Sequence, residues 1–323
     1  TGRGLVVFVN PAAGSAFDRD IAGDIRQGLP DAQVVELDER DDLVAALQRA
    51  ADNGALALGM AGGDGSLNAA AGVAYQRRLP LMVIPAGTLN HLARDLGLDT
   101  VDESVQAVRQ GDLIDMDLGE IDGRPFLNTA SFGSYAELVD TREQLEERLG
   151  KWPAIVVALV RVLRRSEPMV VELDGEELAL WLIFIGNCRY EPDGFAPRRR
   201  ERLGDGQLDV RLVAAKQPGS RTRLMLALLT GRLLRSRVYE QRYVRSLRVR
   251  SHQGPLRLAR DGETFDGSAE FTVIKCPLPL AVYVPHAEST RSGSSPKAVR
   301  SSQMTPRPCR HGDAVLPEAW GSG

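Results

Sequence analysis

The sequence has little cysteine and no strong net charge. Its three cysteines, Cys188, Cys276 and Cys309, are odd in number and far apart, which argues against a disulfide framework and favours a reducing compartment. None of them stands with histidine at a spacing typical of zinc ligands. The formal net charge of −3 gives the whole chain no general attraction for nucleic acid, so we expect no nucleic-acid partner.

Long hydrophobic runs, repeats and the common nucleotide-binding motifs are also missing. The longest helical apolar run, Trp152–Leu163, is too short to span a bilayer and contains Arg161. The sequence opens directly into an apolar strand, so we expect no signal peptide and a cytoplasmic protein. Neither G-x-x-x-x-G-K-[ST] nor a fitting G-x-G-x-x-G occurs, so a phosphate site would need another kind of loop.

Length and composition indicate a globular chain with more than one core. The 323 residues suffice for two domains, and 43% hydrophobic with 26% charged residues is ordinary for a soluble protein. We predict one domain over 1–114, a second over 115–285, and a disordered tail over 286–323. The tail is rich in Ser, Arg, Lys and Pro and has little to bury.

The first predicted domain alternates strands and helices with short links. This order predicts a Rossmann-like parallel α/β sheet with helices on both faces. The predicted strands are Leu5–Asn10, Gln33–Leu37, Ala55–Met60 and Leu81–Pro85. The predicted helices are Asp18–Leu29, Asp41–Ala51, Ala69–Tyr75 and a segment from Asn90 through Leu98.

The octad Ala61–Asn68, AGGDGSLN, is the most informative stretch of this domain. Its glycines allow a ligand to approach main-chain N–H groups, and the following helix directs its positive end to the same place. These features suit phosphate, and the charge of Asp64 suits an accompanying divalent cation. A tight turn with an aspartate cap is the structural alternative.

Two other loops are expected beside the octad. Asn10–Ser15 and Pro85–Asn90 also follow parallel strands, and ligands of open parallel sheets bind at the carboxyl ends of the strands. All three loops carry glycine together with small hydroxyl or amide side chains. Their convergence is harder to explain as structural coincidence than any one loop alone.

The motifs NPAAGS, GGDGS and PAGTLNHLARDLGL together resemble the catalytic domain of diacylglycerol kinases and related bacterial lipid kinases, a family that includes sphingosine and ceramide kinases. Ala13 and Ser66 depart from the usual Ser and Thr, and Ser66 keeps the hydroxyl. The resemblance covers residues from about 5 to 284. It implies that ATP is bound by Asn10, Pro11, Gly14, Gly62, Gly63, Asp64, Gly65, Ser66, Asn68, Gly87, Thr88 and Asn90.

The second predicted domain consists mostly of short strands with glycine turns. This pattern predicts an antiparallel β-sandwich, with hairpin turns at Asp122-Gly123 and Asp174-Gly175. The predicted strands are Met169–Leu173, Glu177–Ile185, Gln207–Ala214, Val244–Val249, Leu256–Ala259, Ala269–Lys275 and Leu280–Val284. The predicted helices are Ala136–Leu149, Trp152–Arg165 and Arg221–Leu229. The resemblance implies that the active site lies in the cleft between the two domains.

Two Asp-Gly segments of this domain, taken alone, are typical of turns. For the segment Gly204–Asp209, the resemblance implies a Mg²⁺ ion held by the carboxylate of Asp205 and the backbone carbonyls of Arg202 and Gln207. For Arg260–Glu263, it implies that Glu263 is the catalytic base and acts together with Asp64. A base is chemically reasonable, because an alcohol attacks a phosphoryl group poorly without one. We expect closure of the cleft to bring Asp64 and Glu263 together.

The resemblance implies an ATP- and Mg²⁺-dependent lipid kinase that acts at a membrane surface, with diacylglycerol as the first choice of acceptor and phosphatidic acid as the product. A sphingoid base, ceramide, a soluble acceptor as in NAD kinase, and an inactive nucleotide-binding regulator are the alternatives. The arginines at 198, 199, 200 and 202 and the helix Trp152–Arg165 are candidates for peripheral contact with anionic lipid. A solvated loop and a core helix are the alternatives for them, and homodimerisation is left open.

Overall fold

The computed structural model describes residues 1–10, 20–38, 41–87, 90–133, 168–191, 199–200, 202–215, 219, 222–223 and 236–286. The helices are α1 (Ile21–Gly28), α2 (Leu43–Asp52), α3 (Asp64–Arg77), α4 (His91–Asp95) and α5 (Val101–Gln110). The strands of the first sheet are β1 (Leu5–Val9), β2 (Gln33–Glu36), β3 (Ala57–Gly62), β4 (Leu81–Pro85), β5 (Leu113–Met116) and β19 (Leu280–Tyr283).

The first sheet and its helices form the first lobe. The strand order is β2-β1-β3-β4-β19-β5, and β1 to β4 pair in parallel as their apolar runs predict. Successive side chains of the strands point to opposite faces of the sheet and so enter two apolar clusters, one on each face. Both clusters are buried because helices cover both faces. Side-chain caps by Asp20, Asp42 and Thr100 begin α1, α2 and α5.

Helix α3 begins earlier than the sequence predicts. Its first residue is Asp64, with Gly63 as the N-cap, whereas the predicted helix begins at Ala69. The segment Asp64–Ser66 is therefore the first turn of a helix and not a loop before it. The first N–H groups of that helix lie at the carboxyl end of β3.

The last described strand returns to the first sheet. β19 pairs in parallel with β4 through Val282 and Leu81, and antiparallel with β5. The predicted division at residue 114 thus falls inside β5, and β19 lies in the sheet of the other predicted domain. Leu280 and Val282 are buried in the core of the first lobe, far along the chain from the other residues of that core.

The second lobe is one antiparallel sheet of eleven strands. It comprises β6 (Gly119–Ile121), β7 (Arg124–Phe126), β8 (Thr129–Gly133), β9 (Met169–Leu173), β10 (Glu176–Asn187), β13 (Leu208–Ala214), β14 (Tyr239–Val244), β15 (Ser246–Ser251), β16 (Arg257–Arg260), β17 (Glu263–Asp266) and β18 (Glu270–Lys275). A separate pair is formed by β11 (Tyr190–Glu191) and β12 (Arg199–Arg200). The sheet branches at β10, which pairs with β8, β9 and β13, and the branches share one apolar core.

The predicted combination of a parallel α/β part and an antiparallel β part is confirmed. The predicted sandwich is a single curled sheet, and both predicted hairpin turns are confirmed by positive φ at Asp122, Gly123, Asp174 and Gly175. The predicted strand Val244–Val249 is wrong in one respect, since it covers parts of two strands, β14 and β15.

Several predicted segments lie outside the described residues. They are the helices Ala136–Leu149 and Trp152–Arg165, residues 221 and 224–229 of the third predicted helix, and the tail from residue 287. Within the part of the chain that is described, no helix is both long and apolar enough to cross a membrane.

Candidate functional site

The ends of β1 and β3 are joined at the predicted phosphate site. The Nδ2 of Asn10 donates a hydrogen bond to the Oγ of Ser66 at 3.1 Å, and the backbone N–H of Asn10 donates to the carbonyl of Ala61 at 2.9 Å. Ser66 belongs to the first turn of α3. The loop after β1 and the turn after β3 are therefore connected through Asn10 and Ser66, two of the residues predicted to bind ATP.

The loop after β4 contacts the same turn. A Cβ atom on Gly87 would lie 2.6 Å from the Cα of Gly63, so these two backbones approach more closely than any side chain would allow. Gly87 donates its N–H to the Oδ1 of Asn90 at 2.8 Å, and His91 donates its N–H to the Oδ1 of Asp64 at 3.1 Å. The loop after β4, Pro85–Asn90, is thus held against the start of α3 through Gly87 and His91.

The described nucleotide-site candidates of the first lobe occupy this one edge of the sheet. Gly62 ends β3, Gly63 caps α3, and Asn68 is buried one turn beyond Asp64. Asn90 adopts a left-handed conformation, with φ of 50°, directly before α4. Pro11, Gly14 and Thr88 were also predicted to bind ATP and lie outside the described residues.

Glu263 of the second lobe faces the first turn of α3. Its Oε1 lies 3.7 Å from the position that a Cβ atom would take on Gly65, the residue after Asp64. Glu263 begins β17 and is exposed. The structure thus places Glu263 beside the residue that follows Asp64, and the expected role of cleft closure stays a prediction.

Asp261 fixes the turn that carries Glu263. Its carboxylate accepts hydrogen bonds from the backbone N–H groups of Leu127 at 2.7 Å, Asn128 at 2.7 Å and Thr129 at 2.9 Å. Burial raises the pKa of the Asp261 carboxyl, although these three N–H groups act in the opposite direction. In the sequence Asp261 stands out only as part of a turn, because its partners are more than a hundred residues away.

Arg200 joins the two lobes through a buried ion pair. Its Nε lies 2.7 Å from the Oδ2 of Asp95 in α4, and the two side chains are 0% and 6% exposed. Its Nη1 donates to the carbonyl of Leu127 at 2.6 Å, and its Nη2 donates to the Oδ1 of Asn128 at 2.9 Å. Desolvation would lower the pKa of Arg200, but Tyr190 and Asp95 outweigh it and raise that pKa.

The lipid-facing hypothesis for the basic loop is wrong for this arginine, because Arg200 is buried among protein groups. Arg199 and Arg202 are exposed, and Arg198 lies outside the described residues. Through Leu127 and Asn128, Arg200 shares partners with Asp261. A continuous polar network therefore connects α4, which follows the third loop, to the turn before Glu263.

The residues predicted to hold Mg²⁺ lie at the junction of the lobes. The Oδ2 of Asp205 accepts the N–H of Arg189 and its Oδ1 accepts the N–H of Gln207, each at 2.9 Å. The carbonyl of Gln207 accepts the N–H of Cys188 at 3.0 Å. Among the described residues, ligand atoms of Asp117, Cys188 and Asp205 lie within 4.8 Å of one another.

The cluster of Asp117, Cys188 and Asp205 does not suit a divalent cation, whereas the predicted ligand set, the carboxylate of Asp205 with the carbonyls of Arg202 and Gln207, stays a prediction. The Nζ of Lys275 lies 3.4 Å from the Oδ2 of Asp117 and 3.2 Å from the Sγ of Cys188, so a positive charge is already present. Burial raises the pKa of the Cys188 thiol to about 11, which keeps it protonated and a poor ligand at neutral pH. The first turn of α3 is a different case, because the half-buried carboxylate of Asp64 lies beside the predicted phosphate site and would suit the cation that accompanies a nucleotide.

Comparisons with known proteins found related sequences and structures. The profile of the diacylglycerol kinase catalytic domain matches residues 4–121. A "Probable lipid kinase YegS-like" protein of Pseudomonas syringae pv. tomato is 30% identical over 288 residues, which cover 84% of this chain and 92% of that protein. A diacylglycerol kinase of Bacillus subtilis is 32% identical over 164 residues, which cover 47% of this chain and 53% of that protein.

The similarity to solved structures concerns the fold. The crystal structure of a diacylglycerol kinase from Bacillus anthracis covers 89% of this chain and 98% of its own, with a TM-score of 0.64 at 19% identity. For some curated relatives the match spans only 53% to 58% of their length. The match to the Pseudomonas syringae protein extends along most of both chains and therefore shows the family. The chain therefore belongs to the family of lipid kinases built on the diacylglycerol kinase catalytic domain.

Proposed function

We propose that this protein is an ATP-dependent lipid kinase that transfers the γ-phosphoryl group of ATP to the hydroxyl of diacylglycerol and produces phosphatidic acid. One observation carries the proposal. The carboxylate of Glu263, from the second lobe, faces the first turn of α3, where the backbone suits phosphate. A base from one lobe and a phosphate site from the other are the two parts that transfer to an alcohol requires.

The first lobe would bind the nucleotide. The N–H groups of Gly63, Asp64 and Gly65, together with the positive end of α3, would bind the terminal phosphates. The carboxylate of Asp64 would hold the Mg²⁺ that comes with ATP. Bound there, this ion would neutralise charge on the phosphates during transfer. The hydrogen bond from the N–H of His91 to Asp64 would keep that carboxylate at the phosphates.

Glu263 would accept the proton of the lipid hydroxyl. As the hydroxyl oxygen forms its bond to the γ-phosphorus, the bond from that phosphorus to the bridging oxygen breaks and ADP leaves. The proton moves to the carboxylate of Glu263. Asp261 would fix the position of this base, because its three N–H contacts hold the turn two residues before Glu263.

The relatives, a probable lipid kinase and a diacylglycerol kinase, support a lipid acceptor, and diacylglycerol is the first choice among lipids. We also propose that the protein is cytoplasmic and contacts the membrane peripherally, since its acceptor would reside in a bilayer. The exposed side chains of Arg199 and Arg202 are candidates for contact with anionic headgroups. Sphingoid bases, ceramide and NAD are the competing acceptors.

The test measures phosphate transfer from radiolabelled ATP to vesicles containing diacylglycerol, a sphingoid base or ceramide, and to NAD. We expect transfer to diacylglycerol, and we expect Glu263→Gln to lower kcat by about 10²- to 10⁴-fold, the usual contribution of a general base. The KM for ATP should change little, because Glu263 does not belong to the nucleotide loops. Glu270→Gln, which removes another exposed strand carboxylate, is the control and should keep full activity.

Two results would contradict the proposal. Transfer to NAD with none to any lipid would assign a soluble acceptor. Unchanged kcat in Glu263→Gln would remove Glu263 from the role of base.

A further inference from the structure

We propose that Arg260 is a further catalytic residue, whose guanidinium binds oxygens of the phosphoryl group while that group passes from ATP to the acceptor. The inference rests on the proposed phosphate transfer for its chemistry and on the second lobe for its geometry. Arg260 is the last residue of β16 and is half-buried. It lies across a tight turn from Glu263, the proposed base, which begins β17.

A two-residue turn holds Arg260 and Glu263 opposite each other. Asp261 and Gly262 have φ of 44° and 92°, left-handed values that are typical of the tightest connection between two antiparallel strands. Arg260 pairs with Glu263 in the register of β16 and β17. Directly opposite residues of an antiparallel pair lie on the same face of the sheet, so the guanidinium and the proposed base leave the hairpin on the same side.

The guanidinium of Arg260 is anchored on one side and has donors left for a ligand. Its Nη1 donates a hydrogen bond to the carbonyl of Pro125 in β7 at 2.8 Å. Among the described residues, Arg260 forms no ion pair and donates no other hydrogen bond. A guanidinium carries its N–H donors in a fixed fork that matches two oxygens of a phosphate, so most of these donors remain for an anion.

The charges around Arg260 favour an anion beside it. Burial lowers the pKa of Arg260, although the carboxylates of Glu263 and Asp261 act in the opposite direction. Arg124 adds to the lowering, and its guanidinium lies 4.5 Å from the centre of the Phe265 ring in β17. Arginine stays charged at neutral pH, and two neighbouring cations repel each other unless an anion lies near both. A phosphate group would supply that anion.

The proposed place of phosphate transfer lies next to this pair. The Oε1 of Glu263 is 3.7 Å from the position that a Cβ atom would take on Gly65, in the first turn of α3, where the terminal phosphates would bind. An anion between Glu263 and Gly65 would therefore be beside Arg260. Glu263 becomes neutral when it takes the proton of the hydroxyl, and its negative charge passes to the phosphates. Arg260 would then stabilise this charge, which lowers the free energy of the transition state.

The first test measures the binding of tripolyphosphate, the phosphate chain of ATP, by isothermal titration calorimetry without nucleotide or lipid. We expect Arg260→Gln to raise the Kd about tenfold, the loss that removal of one charged hydrogen bond causes. Glutamine can still donate to the carbonyl of Pro125, so this variant removes the charge and keeps the anchor. Arg260→Lys keeps a positive charge and should restore most of the affinity.

The second test measures phosphate transfer from ATP to diacylglycerol. Arg260→Gln should lower kcat by about 10²- to 10³-fold, the usual effect of losing one group that stabilises charge in the transition state. Arg260→Lys should recover part of that loss. Arg257→Gln is the matched control for both tests, because Arg257 is exposed at the other end of β16 and pairs with Asp266 at 2.8 Å. It should keep the wild-type Kd and kcat.

Circular dichroism checks that each variant is folded, and a second neutral variant, Arg260→Met, repeats both measurements if Arg260→Gln fails to fold. An unchanged Kd for tripolyphosphate in a folded neutral variant would overturn the proposal. Full kcat in Arg260→Gln would also overturn it, because Arg260 would then only support β7 through Pro125. If wild type phosphorylates no lipid while Arg260→Gln binds tripolyphosphate more weakly, the proposed function fails and the phosphate contact of Arg260 is upheld.

Discussion

The buried guanidinium of Arg200 connects the lobes where the proposed base is held. A buried charge is costly unless partners surround it, and Arg200 has Asp95 as a counter-ion and both Leu127 and Asn128 as acceptors. Leu127 and Asn128 in turn donate their N–H groups to Asp261. A change at Arg200 should therefore affect both the stability of the fold and the position of Glu263.

Arg200→Met should lower the free energy of unfolding by about 3–5 kcal/mol, because it leaves the carboxylate of Asp95 buried without its partner. The neighbouring Arg199→Met is the matched control, since Arg199 is exposed and should change stability by only about 0.5 kcal/mol. Urea unfolding followed by circular dichroism measures both. Similar losses in the two variants would mean that the buried pair has no special role.

The sequence could not distinguish Arg200 from its neighbours. Four arginines within five residues are typical of a solvated or anion-binding loop, and nothing in the loop indicates which of them turns inward. Burial is decided by Asp95, which lies about a hundred residues earlier in a different lobe. The same limit applies to Lys275, whose partners come from two separate segments.

Strands and turns were easier to predict than this pairing. β1, β3 and β4 follow from short apolar runs, and the described residues after them, Asn10, Gly63 and Gly87, lie at one sheet edge as predicted. The start of α3 was placed too late because Gly and Asp are poor residues for a helix interior, although both are well tolerated at a helix start. The break between β14 and β15 at Arg245 has no Gly or Pro to mark it.

The loops after β3 and β4 touch at Gly63 and Gly87, and we expect substitution of these two glycines to have different effects on stability. Gly87→Ala would place a Cβ 2.6 Å from the Cα of Gly63, so the loop after β4 must move away from α3. In Gly63→Ala, the nearest atom to the new Cβ would be 4.0 Å away, which is an ordinary contact. We expect the Tm of the nucleotide-free protein to fall in Gly87→Ala by about 5 °C and to stay nearly unchanged in Gly63→Ala. Equal Tm values for the two variants would mean that the loops are not in close contact.

At the scale of the whole molecule, the N-terminal part of the chain does not supply every strand of the first lobe. β19 inserts between β4 and β5 and contributes Leu280 and Val282 to the core. The apolar run of β19 was predicted as a strand, but its sheet was not, because pairing between distant segments leaves no local pattern. For the same reason the predicted division at residue 114 does not follow the sheets.

Truncation should reveal this dependence. A chain that ends after Pro277 lacks β19, leaves the edges of β4 and β5 unpaired, and loses two fully buried side chains worth about 1.5–3 kcal/mol each. We expect it to be unfolded or aggregated by circular dichroism and size-exclusion chromatography. A chain that ends after His286 keeps β19 and should melt like the full-length protein. A cooperative melt at the same Tm in both truncations would refute the structural role of β19.

The late arrival of β19 has a consequence for how the protein is made. On a ribosome that adds about 5–20 residues per second, the segment from Met116 to Leu280 requires roughly 8–33 s of synthesis. During that interval the nascent first lobe exposes two open strand edges and an unfilled part of its core. Nascent chains stalled before residue 280 should therefore bind holdase chaperones more strongly than chains stalled after β19 has left the exit tunnel.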